Sequence, residues 1–187
     1  MVKFIAEIGI NHQGNLDTMK DMMLRAKECG ADYVKSQKRE PKECLTKEQY
    51  NRPYTSMHSF GETYGEHKEF LEFSLDEWKD LYDYAKKIDV ILFASVFDLT
   101  SAKKMNEIGM DLYKIGSGEV TNLELLEEVS SYGKKIIMST GMSTIQEIDA
   151  AYNILKNNDL ILMHCTSAYP CDEKDVNLNG ILTLQER

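Results

Sequence analysis

Short apolar runs alternate along the chain with longer segments whose apolar residues recur at helical spacing. The apolar runs predict six β-strands, which begin near Lys3, Tyr33, Val90, Leu112, Lys135 and Leu160. The segments between them predict helices. Because strands and helices alternate, the sequence predicts an α/β fold with a parallel sheet and helices packed outside it.

The predicted helices carry start and stop signals. Three capping boxes are predicted, at Ser74–Glu77, Thr121–Glu124 and Thr144–Glu147. In each, a hydroxyl accepts a bond from the first helical turn and a glutamate reaches back. Left-handed caps are predicted at Gly30, Gly109 and Gly133. The first helix has an apolar stripe that predicts core packing, formed by Met19, Met22, Met23, Ala26 and Cys29.

Each predicted strand turns polar at its carboxyl end. The polar residues there include Glu7, Lys35, Gln37, Ser95, Lys114, Ser117, Glu119, Ser139, His164 and Ser167. The carboxyl ends of parallel strands lie on one face, where such proteins bind ligands, so we expect these groups to converge. Lysines, hydroxyls and the turns Gly116–Gly118 and Ser139–Gly141 suit a phosphorylated or anionic ligand. Carboxylates can orient hydroxyls or move protons.

Residue parity sharpens this set, since side chains two apart on a strand share a face. Lys35 and Gln37 are therefore predicted to point the same way, as are Ile5 and Glu7. If the apolar outer face meets helices, these polar side chains point into the mouth of a barrel.

Two architectures fit the alternation: a (β/α)8 TIM barrel and an open doubly wound sheet. The barrel is favoured because every strand end is polar, whereas a doubly wound sheet concentrates its site at one switch point. In addition, no G-x-G-x-x-G follows the first strand. Only the first six β-α units are present, so the favoured interpretation is a C-terminally incomplete piece of a longer protein. The alternative is completion of the barrel by a partner chain.

The span from Lys38 to Phe73 is too long for an ordinary connection. It is rich in aromatic and histidine residues: Tyr50, Arg52, Tyr54, His58, Phe60, Tyr64 and His67 lie within it. Two interpretations stay open, a lid or subunit contact and a surface excursion packed on its own aromatic residues.

Composition narrows the function classes. The 187 residues are 42% hydrophobic and 28% charged, which describes an ordinary globular domain. A net charge of −9 argues against nucleic acid or an anionic membrane as the main partner. The four cysteines show no C-x-x-C spacing, so neither a zinc site nor a redox motif is predicted. With no membrane span and no secretory signal in the sequence, we expect a cytoplasmic protein.

Two histidines have competing interpretations. His164 is expected to be a core histidine rather than a metal ligand. His12 follows Gly9-Ile10-Asn11 in a loop, where a scaffold role and a substrate contact remain equal alternatives.

The strand-end motifs together resemble the N-terminal barrel of the sialic acid synthase family, which includes N-acetylneuraminate, legionaminate and pseudaminate synthases. The motifs run in the family's order and spacing from Met1 to Arg187: Ala6–His12, Val34–Gln37, Tyr113–Glu119, Ser139–Met142 and His164–Pro170. The resemblance implies condensation of phosphoenolpyruvate with an N-acyl-mannosamine-like aldose, giving a nine-carbon 2-keto sugar acid and phosphate.

The resemblance also assigns residues. Those matching contacts to phosphoenolpyruvate are Lys35, Ser95, Lys114, Ser117, Ser139 and Ser167. Those matching sugar contacts and proton-handling groups are Glu7, Gln37, Glu119 and Tyr169. In the family, a divalent Mn or Mg ion polarises the sugar aldehyde while C3 of phosphoenolpyruvate attacks it. Water then adds at C2, and phosphate leaves with cleavage of its C–O bond. The intact family enzyme is expected to be a homodimer.

The chain departs from the family pattern in three ways. Ser36 stands where many relatives carry a larger residue, and Ser95-Val96-Phe97 replaces a more usual Thr-Pro-Phe. Most important, the family's metal-binding histidines and its antifreeze-like C-terminal domain belong to regions outside this sequence. We therefore expect residues 1–187 to lack the metal ligands and to be inactive alone. The alternatives are a non-catalytic module that binds an anionic sugar or phosphate, and a Schiff-base aldolase using Lys35 or Lys114.

Overall fold

The computed structural model describes residues 2–187. The chain divides into two compact units, one ending at Met110 and the other running from Asp111 to Arg187. We call them the N-terminal unit and the C-terminal unit. Parallel strands followed by helices make up both, so the predicted α/β fold is confirmed.

The N-terminal unit contains three parallel strands, with β2 between β1 and β3. Its strands are β1 (Ile5–Gly9), β2 (Tyr33–Lys38) and β3 (Ile91–Val96). Its helices in the described residues are α1 (Leu16–Glu28), α2 (Pro41–Cys44), α3 (Lys47–Tyr50), α4 (Tyr64–Phe70), α5 (Leu75–Lys87) and α6 (Leu99–Glu107).

The C-terminal unit repeats this arrangement, with β5 between two parallel neighbours. Its strands are β4 (Leu112–Ile115), β5 (Lys135–Ser139) and β6 (Leu160–Met163). Its helices in the described residues are α7 (Leu123–Ser131), α8 (Ile145–Leu155) and α9 (Asn179–Gln185), with 3₁₀ turns at Ser117–Glu119 and Glu173–Asp175. All the predicted strands are present in residues 2–187, and each begins within two residues of its predicted start.

Most of the predicted helix signals are confirmed. Ser74 and Thr144 form complete capping boxes, with Glu77 and Glu147 as their glutamates. The box predicted at Thr121 is wrong, because Asn122 is the N-cap of α7 and its side chain accepts from the backbone N–H of the residue three positions on. An asparagine side chain caps a helix N-terminus as well as a threonine side chain does, so Asn122 takes the N-cap position and Thr121 lies before the helix.

The predicted glycines lie directly after the ends of helices, as expected. Gly30, Gly109 and Gly133 have φ values of +91°, +81° and +64°, a region that residues with a Cβ rarely adopt. The apolar stripe of α1 is only partly confirmed. Met19 and Met23 are fully buried, whereas Cys29, the C-cap residue of α1, is exposed.

Strand β2 shows the predicted difference between its two faces. Val34, Ser36 and Lys38 are buried, while Lys35 and Gln37 on the other face are only partly buried. The predicted parity of Lys35 and Gln37 is therefore confirmed within the N-terminal unit.

The long span between β2 and α5 folds on its own aromatic residues. The ring of Phe60 stacks on that of Phe70 at 4.7 Å, and the ring of His67 lies 4.6 Å from that of Tyr54. Gly65 packs so closely against Tyr50 that a Cβ there would lie 2.2 Å from the ring. Of the two interpretations, the self-packed excursion is confirmed, and a role as lid or subunit contact stays a prediction.

No helix within residues 2–187 is both long enough and apolar enough to cross a membrane.

Candidate active site

Lys35 lies at the centre of the polar strand ends in the N-terminal unit. Its Nζ is 2.6 Å from Oε2 of Glu7 and donates a 2.9 Å hydrogen bond to Oγ of Ser95. These contacts follow from register, since Lys35 lies opposite both Glu7 and Phe93, and Ser95 is two residues beyond Phe93 on the same face. The structure thus brings three of the predicted residues into direct contact.

A bulge in β1 gives these groups room. The pairing with β2 shifts between Glu7 and Gly9, and Gly9 has a φ of +58°. A Cβ on Gly9 would lie 3.2 Å from Oε1 of Glu7 and 3.7 Å from Nε2 of Gln37. The carboxylate and the amide therefore both lie close to the glycine, and the hydroxyl of Ser36 fixes the bulge by donating to the Gly9 carbonyl at 2.8 Å.

A buried charged cluster that sequence reasoning missed lies next to Gln37. Glu72 accepts a 2.9 Å hydrogen bond from Lys38 Nζ and a 3.2 Å bond from the backbone N–H of Arg39. Arg39 in turn donates through a terminal guanidinium nitrogen to Oε1 of Gln37. Burial raises the pKa of Glu72 above its ordinary value, although Lys38 and Arg39 oppose that effect. The run Lys38-Arg39-Glu40 was the available signal, but such a run is usually a solvated face.

Lys114 occupies the equivalent position in the C-terminal unit. Its Nζ donates to Oγ of Ser139 at 2.6 Å and to the carbonyl oxygen of Ile115 at 2.6 Å. Lys114 lies opposite Ile137 in the register, and Ser139 is two residues further along β5. A lysine therefore meets a serine by the same strand geometry in both units.

Two more of the predicted side chains, Ser117 and Ser167, meet around Gly141. The Gly141 N–H donates a 3.0 Å hydrogen bond to Oγ of Ser117. A Cβ on Gly141 would lie 2.3 Å from Oγ of Ser167, 2.9 Å from Oγ of Ser117 and 3.2 Å from the carbonyl oxygen of Cys165. The absence of a side chain at Gly141 thus lets the two hydroxyls approach the same stretch of backbone, a suitable place for anion oxygens.

The two remaining predicted residues are placed differently. Glu119 lies in the 3₁₀ turn after β4 and accepts a 3.0 Å hydrogen bond from Nδ2 of Asn122. Tyr169 is 98% exposed. The structure does not pack the ring of Tyr169 against the other predicted residues, so its role stays a prediction.

His12 has the scaffold role. It is buried, and its ring stacks on Phe73 with centroids 4.3 Å apart. Its Nδ1 accepts a 3.1 Å hydrogen bond from the backbone N–H of Gly14. Burial lowers the pKa of His12 to about 4, so the ring is neutral near pH 7.

His164 is only partly buried, so its expected place in the core is not confirmed. Its ring contacts the backbone of α9, because a Cβ on Gly180 would lie 2.7 Å from Cε1 of His164. Throughout residues 2–187, no group of three His, Cys, Asp or Glu side chains is arranged to hold a metal ion. The side chains described here therefore do not fit a divalent metal, and the source of its ligands stays a prediction.

A wide cavity lies elsewhere in the N-terminal unit. It has a volume of about 630 Å³ and is lined in part by Asp32, Tyr33 and Ile91 at the amino ends of β2 and β3. Its charged groups are paired, with Lys3 Nζ 2.7 Å from Asp32 and Lys27 Nζ 3.0 Å from Asp89. Because parallel α/β folds bind ligands at the carboxyl ends of strands, we place the candidate site at the lysine and serine contacts instead.

Comparison with known proteins identifies relatives of this chain. N-acetylneuraminate-9-phosphate synthase of Mus musculus is 42% identical over 184 residues, which are 97% of this chain and 51% of that protein. N,N'-diacetyllegionaminic acid synthase of Campylobacter jejuni is 37% identical over 188 residues, 97% of this chain and 56% of its own length. The chain thus spans about half the length of the curated relatives it matches.

The chain is also similar to a solved structure of a named synthetase. The N-acetylneuraminic acid (sialic acid) synthetase of Leptospira borgpetersenii, crystallised with citrate, superposes with a TM-score of 0.84 at 32% identity. The superposition covers 99% of this chain and 61% of that one. A family model described as the NeuB family matches residues 22–187. With most of its length matched in sequence and structure, the chain belongs to the NeuB family.

Proposed function

We propose that the full-length protein condenses phosphoenolpyruvate with an N-acylated amino-sugar aldehyde. By full-length protein we mean the product of the whole reading frame that encodes these 187 residues. C3 of phosphoenolpyruvate forms a bond to the aldehyde carbon, water adds at C2, and the C2–O bond to phosphate breaks. The products are a nine-carbon 2-keto sugar acid and phosphate. Membership of the NeuB family and the activities for which its relatives are named support this proposal.

The observation that carries the proposal is the repeated lysine–serine contact, Lys35 with Ser95 and Lys114 with Ser139. Each contact presents an ammonium beside a hydroxyl at the carboxyl end of a strand, which suits phosphate or carboxylate oxygens. We assign phosphoenolpyruvate to these four side chains together with Ser117 and Ser167.

The acceptor sugar is assigned to Glu7, Gln37, Glu119 and Tyr169. Carboxylates can accept from sugar hydroxyls and can move protons as the C–C bond forms. An amide can donate to a sugar oxygen or accept from a sugar hydroxyl. Glu7 contacts Lys35, which would bring the acceptor beside the group that we assign to phosphoenolpyruvate.

The wider context of this chemistry is also proposed. We expect the full-length protein to complete a (β/α)8 barrel, to act as a homodimer and to take a divalent Mn or Mg ion whose ligands lie outside residues 2–187. Its location in the cytoplasm stays a prediction.

The test is phosphate release by the full-length protein with phosphoenolpyruvate and a panel of N-acyl-mannosamine-like sugars. Sugar-dependent release of phosphate, with formation of a 2-keto acid, is the expected result. Release with none of the sugars would favour the non-catalytic binding module. Borohydride trapping of a substrate adduct on Lys35 or Lys114 would instead support the Schiff-base aldolase. The isolated 187-residue chain, assayed in parallel, is expected to release no phosphate.

A further inference from the structure

Gln37 has its amide orientation fixed by a neighbour that can only donate. The guanidinium of Arg39 contacts Oε1 of Gln37 through a terminal nitrogen. Arginine carries N–H donors and no acceptor, so the oxygen of the amide must be the atom that faces it. The NH₂ group of Gln37 is therefore directed away from Arg39.

The NH₂ group points toward the bulge of β1. Nε2 of Gln37 lies 3.7 Å from the position of a Cβ on Gly9, and Oε1 of Glu7 lies 3.2 Å from the same point. An amide donor and a carboxylate oxygen thus both lie close to the space that a side chain at position 9 would fill. A ligand group in that space can accept from the Gln37 N–H and donate to the Glu7 carboxylate.

Arg39 is itself held from several directions. Its guanidinium carbon lies 4.3 Å from the centre of the Phe97 ring, and its Nε is 3.5 Å from Oε1 of Glu72. Its backbone N–H donates to Oε2 of the same carboxylate at 3.2 Å. The side chains are largely withdrawn from water, at 17% exposed for Arg39 and 9% for Glu72. A guanidinium restrained this way loses little further freedom in holding Gln37.

We infer that Arg39 is a positioning residue that locks Gln37 as a hydrogen-bond donor toward the acceptor sugar. With the arginine in place, Oε1 of Gln37 is directed at Arg39, and the NH₂ group of Gln37 donates to an oxygen atom of the sugar. Glu72, from the long span after β2, holds Arg39 and so links that span to sugar selection. The inference rests on the proposed function in its assignment of Gln37 to the acceptor.

The variant Arg39→Met tests this with little risk to folding. Methionine keeps most of the side-chain length and apolar contact with Phe97, and Lys38 with Glu72 remain as a balanced pair 2.9 Å apart. In the full-length protein, we expect KM for the N-acyl sugar to rise about tenfold, the effect of losing one hydrogen bond of about 1.4 kcal/mol. KM for phosphoenolpyruvate is expected to stay within about twofold of the parent value.

A double-mutant cycle separates positioning from packing. If Arg39 acts through Gln37, Arg39→Met raises the sugar KM in the parent but has no further effect in a Gln37→Ala background. Equal effects in both backgrounds, or no effect of Gln37→Ala alone, would overturn the inference. Arg52→Met is the matched control. Arg52 is an exposed arginine of the same span that lies 5.7 Å from the Tyr64 ring, and its loss should leave the sugar KM unchanged.

A second measurement does not depend on turnover. In the ¹⁵N–¹H spectrum of glutamine-labelled protein, the side-chain NH₂ signals of Gln37 are identified by their loss in Gln37→Ala. Arg39→Met is expected to shift these signals and to speed their exchange with water. Unchanged Gln37 signals in a folded Arg39→Met protein would refute the lock. Absence of sugar-dependent phosphate release in the parent, with the shift present, would count against the proposed function alone.

Discussion

The two units build the same lysine–serine contact in different surroundings. In each, the lysine reaches the serine that lies two residues beyond its register partner, Lys35 to Ser95 and Lys114 to Ser139. In the N-terminal unit the lysine also pairs with a carboxylate, 2.6 Å away on Glu7. In the C-terminal unit the contact includes a backbone carbonyl, and two further hydroxyls gather around a glycine.

This difference teaches that strand register and the neighbouring side chains control separate properties. Register determines where the cation lies, because side-chain direction along a strand has a period of two. The neighbouring side chains and backbone groups determine which changes weaken the binding of an anion by the lysine. The N-terminal contact should therefore respond most to changes in charge and acidity, and the C-terminal contact most to lost hydroxyls and filled space.

The largest expected effect comes from removing each lysine. Lys35→Met should raise the Kd of the full-length protein for phosphoenolpyruvate about 100-fold, and Lys114→Met about tenfold. The larger loss at Lys35 is expected because the Glu7 carboxylate then faces the anion without its partner. Isothermal titration calorimetry measures both constants.

Adding Glu7→Gln to Lys35→Met sharpens this comparison. The double variant should regain about tenfold in affinity, since it removes the repulsive charge without restoring the cation. Lys87→Met, at an exposed lysine of α5, is the control and should bind like the parent. Equal losses at the two lysines, with no recovery in the double variant, would show that the ionic surroundings do not distinguish the units.

The second prediction is that acid lowers the stability of the protein because His12, in the N-terminal unit, becomes protonated on unfolding. Burial lowers the pKa of His12 to about 4 from an ordinary value of 6.5. The folded state therefore binds fewer protons than the unfolded state between these values, and stability falls as pH drops below about 6.5. The expected loss in the free energy of unfolding from pH 7 to pH 5 is about 2 kcal/mol.

Urea unfolding of the parent and His12→Asn at both pH values measures this loss. Asparagine can still accept from the Gly14 N–H but does not titrate, so the variant should be less stable at pH 7 and lose about 2 kcal/mol less on acidification. The same pH dependence in both proteins would assign the acid sensitivity to other groups.

The third prediction concerns a substitution that adds a methyl group to a crowded position in the C-terminal unit. In Gly141→Ala, the new Cβ would lie 2.3 Å from Oγ of Ser167 and 3.2 Å from a backbone oxygen, so the loop must move. We expect kcat/KM for phosphoenolpyruvate to fall about tenfold, from displaced hydroxyls. Gly118→Ala is the matched control, because no atom lies within 4 Å of a Cβ there. Loss of activity in both variants would point to backbone flexibility rather than steric filling.

The strand positions and the side-chain directions along the strands could be predicted from the local sequence pattern. Periodicity located the strands, and parity put Lys35 and Gln37 on one face, because both depend on residues close in sequence. The convergence of the two units' polar strand ends on one site stays a prediction. The direction of Tyr169 could not be read in this way, since a loop residue has no periodic constraint on where its side chain points.

The cluster behind Gln37 shows a second limit of local pattern. Arg39 and Glu72 are 33 residues apart, and their contact depends on how the intervening span packs on its own aromatic residues. A charge run such as Lys38-Arg39 is usually solvated, so burial of both its side chains against one carboxylate was not predictable from composition. The capping error at Thr121 has a simpler origin, since Asn122 offers a competing cap one residue later.

The smallest expected effect compares the two serines directly. Ser95→Ala and Ser139→Ala each remove one hydroxyl that accepts from a lysine, at 2.9 Å and 2.6 Å. We expect kcat/KM for phosphoenolpyruvate to fall about fivefold in Ser139→Ala and about twofold in Ser95→Ala, the range of a single net hydrogen bond. The loss at Ser95 is expected to be smaller because the charged contact with Glu7 continues to hold Lys35, whereas Lys114 keeps a contact to the neutral carbonyl of Ile115. Ser95→Ala combined with Glu7→Gln should therefore bind phosphoenolpyruvate more weakly than the two separate losses predict. Additive losses in Kd would show that Lys35 keeps its position without either neighbour, and the contrast between the two units would then reside in charge alone.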